Sequence, residues 1–168
     1  DSLKVWDLTD GTLLFSFYLD SIDRYVRRLA ISPDGEYVVL RDSKGYIRAW
    51  NITDGSFVRK LSGPDVETTN RQFPDVSLAF LPDTNLVIAG NGSDMVHIWS
   101  LPDGALVQTI SGIPGKVQDV AVGPISDEIY VALINETPEP NRVTVWNYTE
   151  GTLLRTIPDS SNLSHGLL

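Results

Sequence analysis

Proton transfer or metal binding in this chain would have to start from a short inventory. There are two histidines, His97 and His165, no cysteine, and one close carboxylate pair, Asp7 and Asp10. His97 stands between Val96 and Ile98 in an apolar run, the pattern of a strand residue packed against its neighbours rather than of a general base. His165 lies in the Ser164-His165-Gly166 stretch near the C-terminal end. Asp7 and Asp10 each occupy a polar or turn place that recurs later in the chain, so turn chemistry accounts for both. No His-x-x-x-His pair, Gly-x-Ser-x-Gly elbow, phosphate loop or calcium-loop spacing occurs. With no cysteine, disulfides, thiolate zinc sites and a cysteine nucleophile are excluded. The expectation is a non-enzymatic chain with no catalytic residues, no metal site and no cofactor.

The elements that would carry any site come from an internal repeat. Val5-Trp6-Asp7-Leu8-Thr9-Asp10-Gly11-Thr12-Leu13-Leu14 returns as Ala49-Trp50-Asn51-Ile52-Thr53-Asp54-Gly55-Ser56-Phe57-Val58. It returns again as Ile98-Trp99-Ser100-Leu101-Pro102-Asp103-Gly104-Ala105-Leu106-Val107, and as Val145-Trp146-Asn147-Tyr148-Thr149-Glu150-Gly151-Thr152-Leu153-Leu154. All four tryptophans share one place in the unit, 44, 49 and 47 residues apart. Each copy predicts a hairpin: apolar alternation into Trp, an acidic residue and a glycine (Gly11, Gly55, Gly104, Gly151) for a positive-φ turn, then a second β-rich run. A second hairpin precedes each of the last three Trp residues. Its strands are predicted over 26–31 and 37–40, 76–81 and 86–89, and 117–122 and 129–134. Four antiparallel strands recurring at a period near 45 are a propeller blade.

On these residues the chain resembles the WD40 family over 3–157. The resemblance rests on each Trp with its following polar position (Asp7, Asn51, Ser100, Asn147) and on the Ser32-Pro33-Asp34-Gly35 turn. It implies an all-β, incomplete propeller with the Trp strand third in each blade. The expected division is an outer half blade at 3–19, blades at 25–62, 75–111 and 116–157, and a tail or the start of a next blade at 158–168. The repeats are divergent. Where family members carry Gly-His, this chain has Ser62-Gly63-Pro64 and Ser111-Gly112-Ile113. In the turns before Trp, only Asp94 approaches the family's aspartate. The Trp rings are therefore expected to be held by packing between blades rather than by the family's polar network.

The resemblance also points to the residue before each first strand, which in the family faces partners around the central channel. That place falls on Tyr25 and Lys116, with Arg28 and Asp119 as a second matched pair. Tyr and Arg commonly anchor interfaces. Two longer polar connections, 63–74 and 135–141, are further places for specificity.

Composition bounds the rest. The 168 residues carry 13 basic and 22 acidic side chains, a net charge of −9, with 10 Pro, 13 Gly and a single Met. Overall acidity disfavours nucleic acid. The longest apolar runs last only a few residues, too short for a membrane helix or a signal-peptide core. Between Arg24 and Lys60, however, eight basic residues face four acidic ones, a local excess that could meet an acidic partner. Five of eight asparagines (Asn51, Asn91, Asn135, Asn147, Asn162) begin an Asn-x-Ser/Thr sequence. In a secreted protein these would be glycan sites, whereas repeat-turn chemistry explains most of them.

The function expected is a protein-interaction scaffold in the cytoplasm, presenting loops to a protein or peptide. The alternatives are a secreted or cell-surface, carbohydrate-directed propeller, or an accessory propeller of a larger enzyme. Three and a half blades call for further blades from a longer chain, or for self-association that closes a ring.

Overall fold

The computed structural model describes residues 2–18, 26–43, 45–61, 78–91, 94–123, 128–134 and 142–158. Among them every regular element is a strand. A two-stranded sheet pairs β1 (Ser2–Trp6) with β2 (Leu13–Tyr18). Three four-stranded antiparallel sheets follow, each built in chain order. The first blade holds β3 (Val26–Ile31), β4 (Tyr37–Asp42), β5 (Ile47–Asn51) and β6 (Phe57–Leu61). The second holds β7 (Leu78–Phe80), β8 (Leu86–Gly90), β9 (Val96–Ser100) and β10 (Leu106–Ile110). The third holds β11 (Lys116–Val122), β12 (Glu128–Ile134), β13 (Arg142–Asn147) and β14 (Thr152–Pro158). Trp50, Trp99 and Trp146 all lie on the third strand of their blades. Several boundaries differ from expectation: β8 runs one residue further, to Gly90, and β11 and β12 each begin one residue earlier, at Lys116 and Glu128. β4 runs two residues past Leu40, and the described part of the second blade's first strand is limited to 78–80, with 76 and 77 outside the described residues.

Repetition in the sequence becomes repetition in backbone geometry. The four repeat glycines adopt φ of 73°, 71°, 68° and 67° (Gly11, Gly55, Gly104, Gly151), where a side chain is disfavoured. Each glycine N–H donates to the carbonyl of the residue after Trp, on Asp7, Asn51, Ser100 and Asn147, at 2.8–3.0 Å. The side chain at that place also closes the loop. Asp7 Oδ1 accepts from the Thr9 amide at 2.7 Å, Asn51 Oδ1 from the Thr53 amide at 2.7 Å and Asn147 Oδ1 from the Glu150 amide at 2.9 Å, while the Ser100 hydroxyl donates to Asp103. Directly after the loop every copy inserts one extra residue into the outer strand (Leu14, Val58, Val107, Leu154), a bulge the periodicity alone does not disclose.

Tryptophan burial is completed between sheets. Trp50 packs with Val38 and Leu40 against Leu3 of the leading sheet. Trp99 joins Leu78, Val87, Ala89 and Leu101 against Val39, Ile47, Ala49 and Leu61 of the first blade. Trp146 joins Val117, Val120 and Ile129 against Ile88, Val96, Ile98 and Ile110 of the second. At about 25 cal/mol per Å2 and roughly 200 Å2 per indole, each such burial contributes several kcal/mol. The Trp146 ring also has a polar partner. Trp146 Nε1 donates to Thr144 Oγ1 at 2.9 Å, so packing is not the whole account of how the rings are held. The partner lies on the Trp strand itself, two residues before the ring.

The first strands of successive blades are neighbours, β3 beside β7 and β7 beside β11, as they are when blades radiate from a common axis. This arrangement defines two ends. One gathers the starts of the first strands with the turns before each Trp strand. The other gathers the turns after the first strands with the glycine loops.

Candidate partner-docking surface

The residues expected to meet a partner belong to the first-strand end. Tyr25 lies outside the described residues, as do His165, Asn135, Asn162 and both long connections. Arg28 and Asp119 hold the same register place. Each follows a bulge residue, Arg27 or Gln118, that has no partner in the adjoining strand, and each is exposed. Lys116 opens β11 and is half-buried. The Arg28 guanidinium donates to the Arg27 carbonyl at 3.0 Å, and Asp119 Oδ1 accepts from the Val120 amide at 3.0 Å.

Registration of the first blade concentrates its cations at this end. Arg28 lies directly opposite Arg41, and Arg48 directly opposite Lys60. Like charges in facing positions are destabilising in a sheet, so their presence needs local compensation. Asp42, only 1% exposed, supplies part of it: Arg48 Nη1 donates to its Oδ2 at 2.5 Å, and the Tyr46 amide donates to its Oδ1 at 3.0 Å. The Tyr46 ring supplies more, with the Arg48 guanidinium 5.0 Å and the Lys60 ammonium 4.3 Å from its centroid. Arg41, 6% exposed, donates across the blade interface to the Gly90 carbonyl at 2.8 Å.

Asp42 escaped the sequence reading because it ends a strand instead of sitting inside the turn where an aspartate was sought. The detectable signal was its spacing from Tyr46. Asn91 bonds the Met95 amide in the same i to i+4 pattern, at 3.2 Å, so in the second blade Asn91 serves turn closure.

The opposite end is acidic, but its carboxylates serve the loops. The Thr9 hydroxyl and amide hold Asp7 below the usual carboxylate range, and the Thr12 amide and hydroxyl do the same for Asp10. Ser56 lowers Asp54 and Ser100 lowers Asp103 in the same way. Carboxyls held in the ionised form are poor proton donors at neutral pH, and Asp7 and Asp10 make no acid–base pair. A groove of about 400 Å3 opens here, lined by Pro33, Asp34, Asp83, Thr84 and Asn85. The Ser32 hydroxyl is the main group lowering Asp34 in it. His97 is fully buried, its Nδ1 3.1 Å from Thr109 Oγ1 and its ring 5.6 Å from that of Trp99. Among the described residues, no helix is long and apolar enough to cross a membrane.

This geometry is that of WD40-like propeller blades. No family model matches the chain, and no curated protein matches it in sequence. Among solved structures it is similar to the WD40 repeats of RRP9, at 22% identity and a TM-score of 0.70 over 91% of this chain and 44% of that one. It is similar to U3-55K at 21% identity and a TM-score of 0.69, over 91% and 44%. It also resembles hydrazine synthase of Kuenenia stuttgartiensis at 11% identity and a TM-score of 0.72, over 92% and 42%. The chain thus spans less than half the length of each structure. At these identities the likeness is one of fold, and the fold is a WD40-like β-propeller.

Proposed function

We propose that the chain is a non-catalytic interaction module whose first-strand end docks a protein or peptide partner, with Tyr25, Arg28, Lys116 and Asp119 at the contact. The observation that carries this reading is the pair Arg28 and Asp119. They stand at one register place, exposed just after a bulge, with opposite charge on otherwise repeating strands. A rigid repeat that varies its exposed charge at a fixed place is suited to recognition, and Arg is a frequent interface anchor. The test is crosslinking of a partner captured from the native source, with the crosslinks mapped onto this chain. Crosslinks at the first-strand end, weakened in a Tyr25→Ala/Lys116→Glu variant, support the reading. Undiminished capture by that variant removes this end as the docking surface.

A second reading, an accessory propeller within a larger enzyme assembly, draws on the likeness to a chain of hydrazine synthase. Partial ring geometry bears on both readings. Trp6 is 50% exposed on the leading sheet and Ile157 44% exposed on the last, whereas Trp50, Trp99, Leu61 and Ile110 at the same register places of the other blades are buried. Covering them takes further blades or a second copy. A monodisperse closed dimer in light scattering supports self-association, and a monomer supports further blades.

A further inference from the structure

We propose that β2 is the edge through which two copies of this chain associate, the strand pairing antiparallel with itself about a two-fold axis at Ser16. None of its residues belongs to the docking surface, so the inference goes beyond that reading and does not depend on it.

Each sheet ends outward in the strand that follows its glycine loop: β2, β6, β10 and β14. Among the described residues nothing pairs with the far edge of β2. A strand completing the leading sheet to the pattern of the other three would add beside β1, and the β2 edge would stay at the rim. Such an edge offers unpaired N–H and C=O groups to any extended chain, and natural sheets blunt it with charge or proline.

β2 lacks that protection. Where the other rims set Arg59, Gln108 and Arg155 beside the Trp strand, β2 sets Phe15. At the next place Lys60, Thr109 and Thr156 answer to Ser16. At the end of β14 stands Pro158, which has no N–H to offer, and at the end of β2 stands Tyr18. Leu13 and Leu14 have exposed apolar counterparts in Phe57 and Val107, so the distinction rests on Phe15 and Tyr18, 42% and 77% exposed. The six residues of β2 include no charge, proline or glycine, the composition of a segment that pairs with its like.

Sequence symmetry and charge select a second copy as the occupant. Leu14-Phe15-Ser16-Phe17-Tyr18 reads as a near palindrome of apolar residues about one serine. An axis at Ser16 sets Phe15 opposite Phe17 of the second copy, Leu14 opposite Tyr18, and Ser16 opposite itself. Aromatic and hydroxyl pairs across antiparallel strands are favourable, and a two-fold contact requires one patch to complement itself. Two chains of net charge −9 repel, and contact is least opposed at an uncharged strip. Antiparallel pairing also carries the Asp7–Asp10 loops, which precede β2, to opposite ends of the joined strands. With about five residues a side the interface is small, so the dimer is weak, with a Kd of about 100 μM, and tightens as salt screens the repulsion.

Sedimentation equilibrium from about 10 to about 500 μM tests this, at about 50 and about 500 mM salt. Expected are an average mass rising towards two chains, more so at high salt, and association about tenfold weaker in Tyr18→Lys. Val107→Lys, an equal charge change at an exposed place on β10, should alter it less than about twofold. If Tyr18→Lys fails to fold, Phe15→Lys carries the same test. The chain has no cysteine, so Ser16→Cys reads the axis. Facing residues of antiparallel strands have Cα atoms about 4.5–5.5 Å apart, within disulfide reach. Oxidised glutathione should therefore link two copies through position 16 about tenfold faster than through Val107→Cys. Monomer mass at every concentration, equal weakening by Val107→Lys, or equal crosslinking at the two positions each overturns the proposal. A dimer that forms without the link at position 16 also overturns it, and assigns self-association to the sheet faces that ring closure would cover.

Discussion

Trp6 and Trp99 occupy the same place in their repeats, after the same alternation and before the same glycine loop, yet Trp6 is 50% exposed and Trp99 is fully buried. The loops behind them are equally well made. Gly11 and Gly104 have nearly the same φ, and each donates to the carbonyl of the residue after Trp. What differs is the neighbour. Trp99 is covered by Val39, Ile47, Ala49 and Leu61 from the first blade, whereas the leading sheet packs on its other side, through Leu3, against Trp50. Local sequence makes the hairpin, and an adjoining sheet makes the core.

Deleting the two rings tests this contrast most severely. Trp99→Ala should cost about 3–5 kcal/mol in chemical denaturation and Trp6→Ala no more than about 1 kcal/mol. Similar losses at both sites would mean that the leading sheet is covered in solution by something else. A smaller effect is expected at Thr144. Replacing it by Val strands the Trp146 Nε1 donor in a buried place and should cost about 2 kcal/mol by the same measurement. The serine variant, which keeps the hydroxyl, should recover most of that loss.

The glycine loops sharpen the comparison further. A Cβ at Gly104 would fall on the Arg59 side chain of the first blade and one at Gly151 would come within 3.2 Å of Gln108 Nε2, whereas one at Gly11 meets nothing within 4 Å. Both Gly11→Ala and Gly104→Ala should lose about 1 kcal/mol to the positive φ. Gly104→Ala should lose more, and pairing it with Arg59→Ala should remove the excess in a double-mutant cycle. At the place of Arg59 and Gln108 the third blade carries Arg155, which forks onto Glu128 of its own sheet at 2.9 and 3.1 Å. That last blade therefore shows its outermost strand to solvent where the others lean on a neighbour's loop.

The smallest effect is expected from acid. Asp7, Asp10, Asp34, Asp54 and Asp103 are all held below their ordinary value by hydrogen bonds in the fold. A group whose folded value is depressed stabilises above its unfolded value and loses that contribution as pH falls through the folded one. The melting temperature should accordingly fall below about pH 4. Asp7→Asn or Asp10→Asn should change that acid limb only slightly, since both carboxylates lie in surface loops.

Much of this was legible in the residues. Period, strand order, the third-strand place of Trp and the positive-φ glycines all follow from alternation and turn chemistry, which act over a few residues. The Asp-Gly loops serve the turn roles expected of them, and the side chains of Asn51, Asn91 and Asn147 accept from nearby turn amides. The candidate surface was legible only in part. Charge excess in the first blade could be counted, and Arg28 could be matched to Asp119. That Arg48 faces Lys60, that Asp42 is buried against Arg48, and that Tyr46 lies against both cations could not, because these depend on pairings across strands and on a turn that a single spacing rule misplaced. The bulge after every glycine loop was hidden for a related reason. An extra residue changes register without changing the apolar pattern that announces the strand.

The division follows from the range of the forces. By itself the sequence determined that this chain makes four-stranded antiparallel units around four equivalent tryptophans, because β alternation and glycine turns are decided between near neighbours. Only the tertiary structure decided which tryptophan is core, which arginine is exposed and which carboxylate is buried. Those outcomes depend on the sheet that packs alongside, and its residues lie some 45 positions away in the chain.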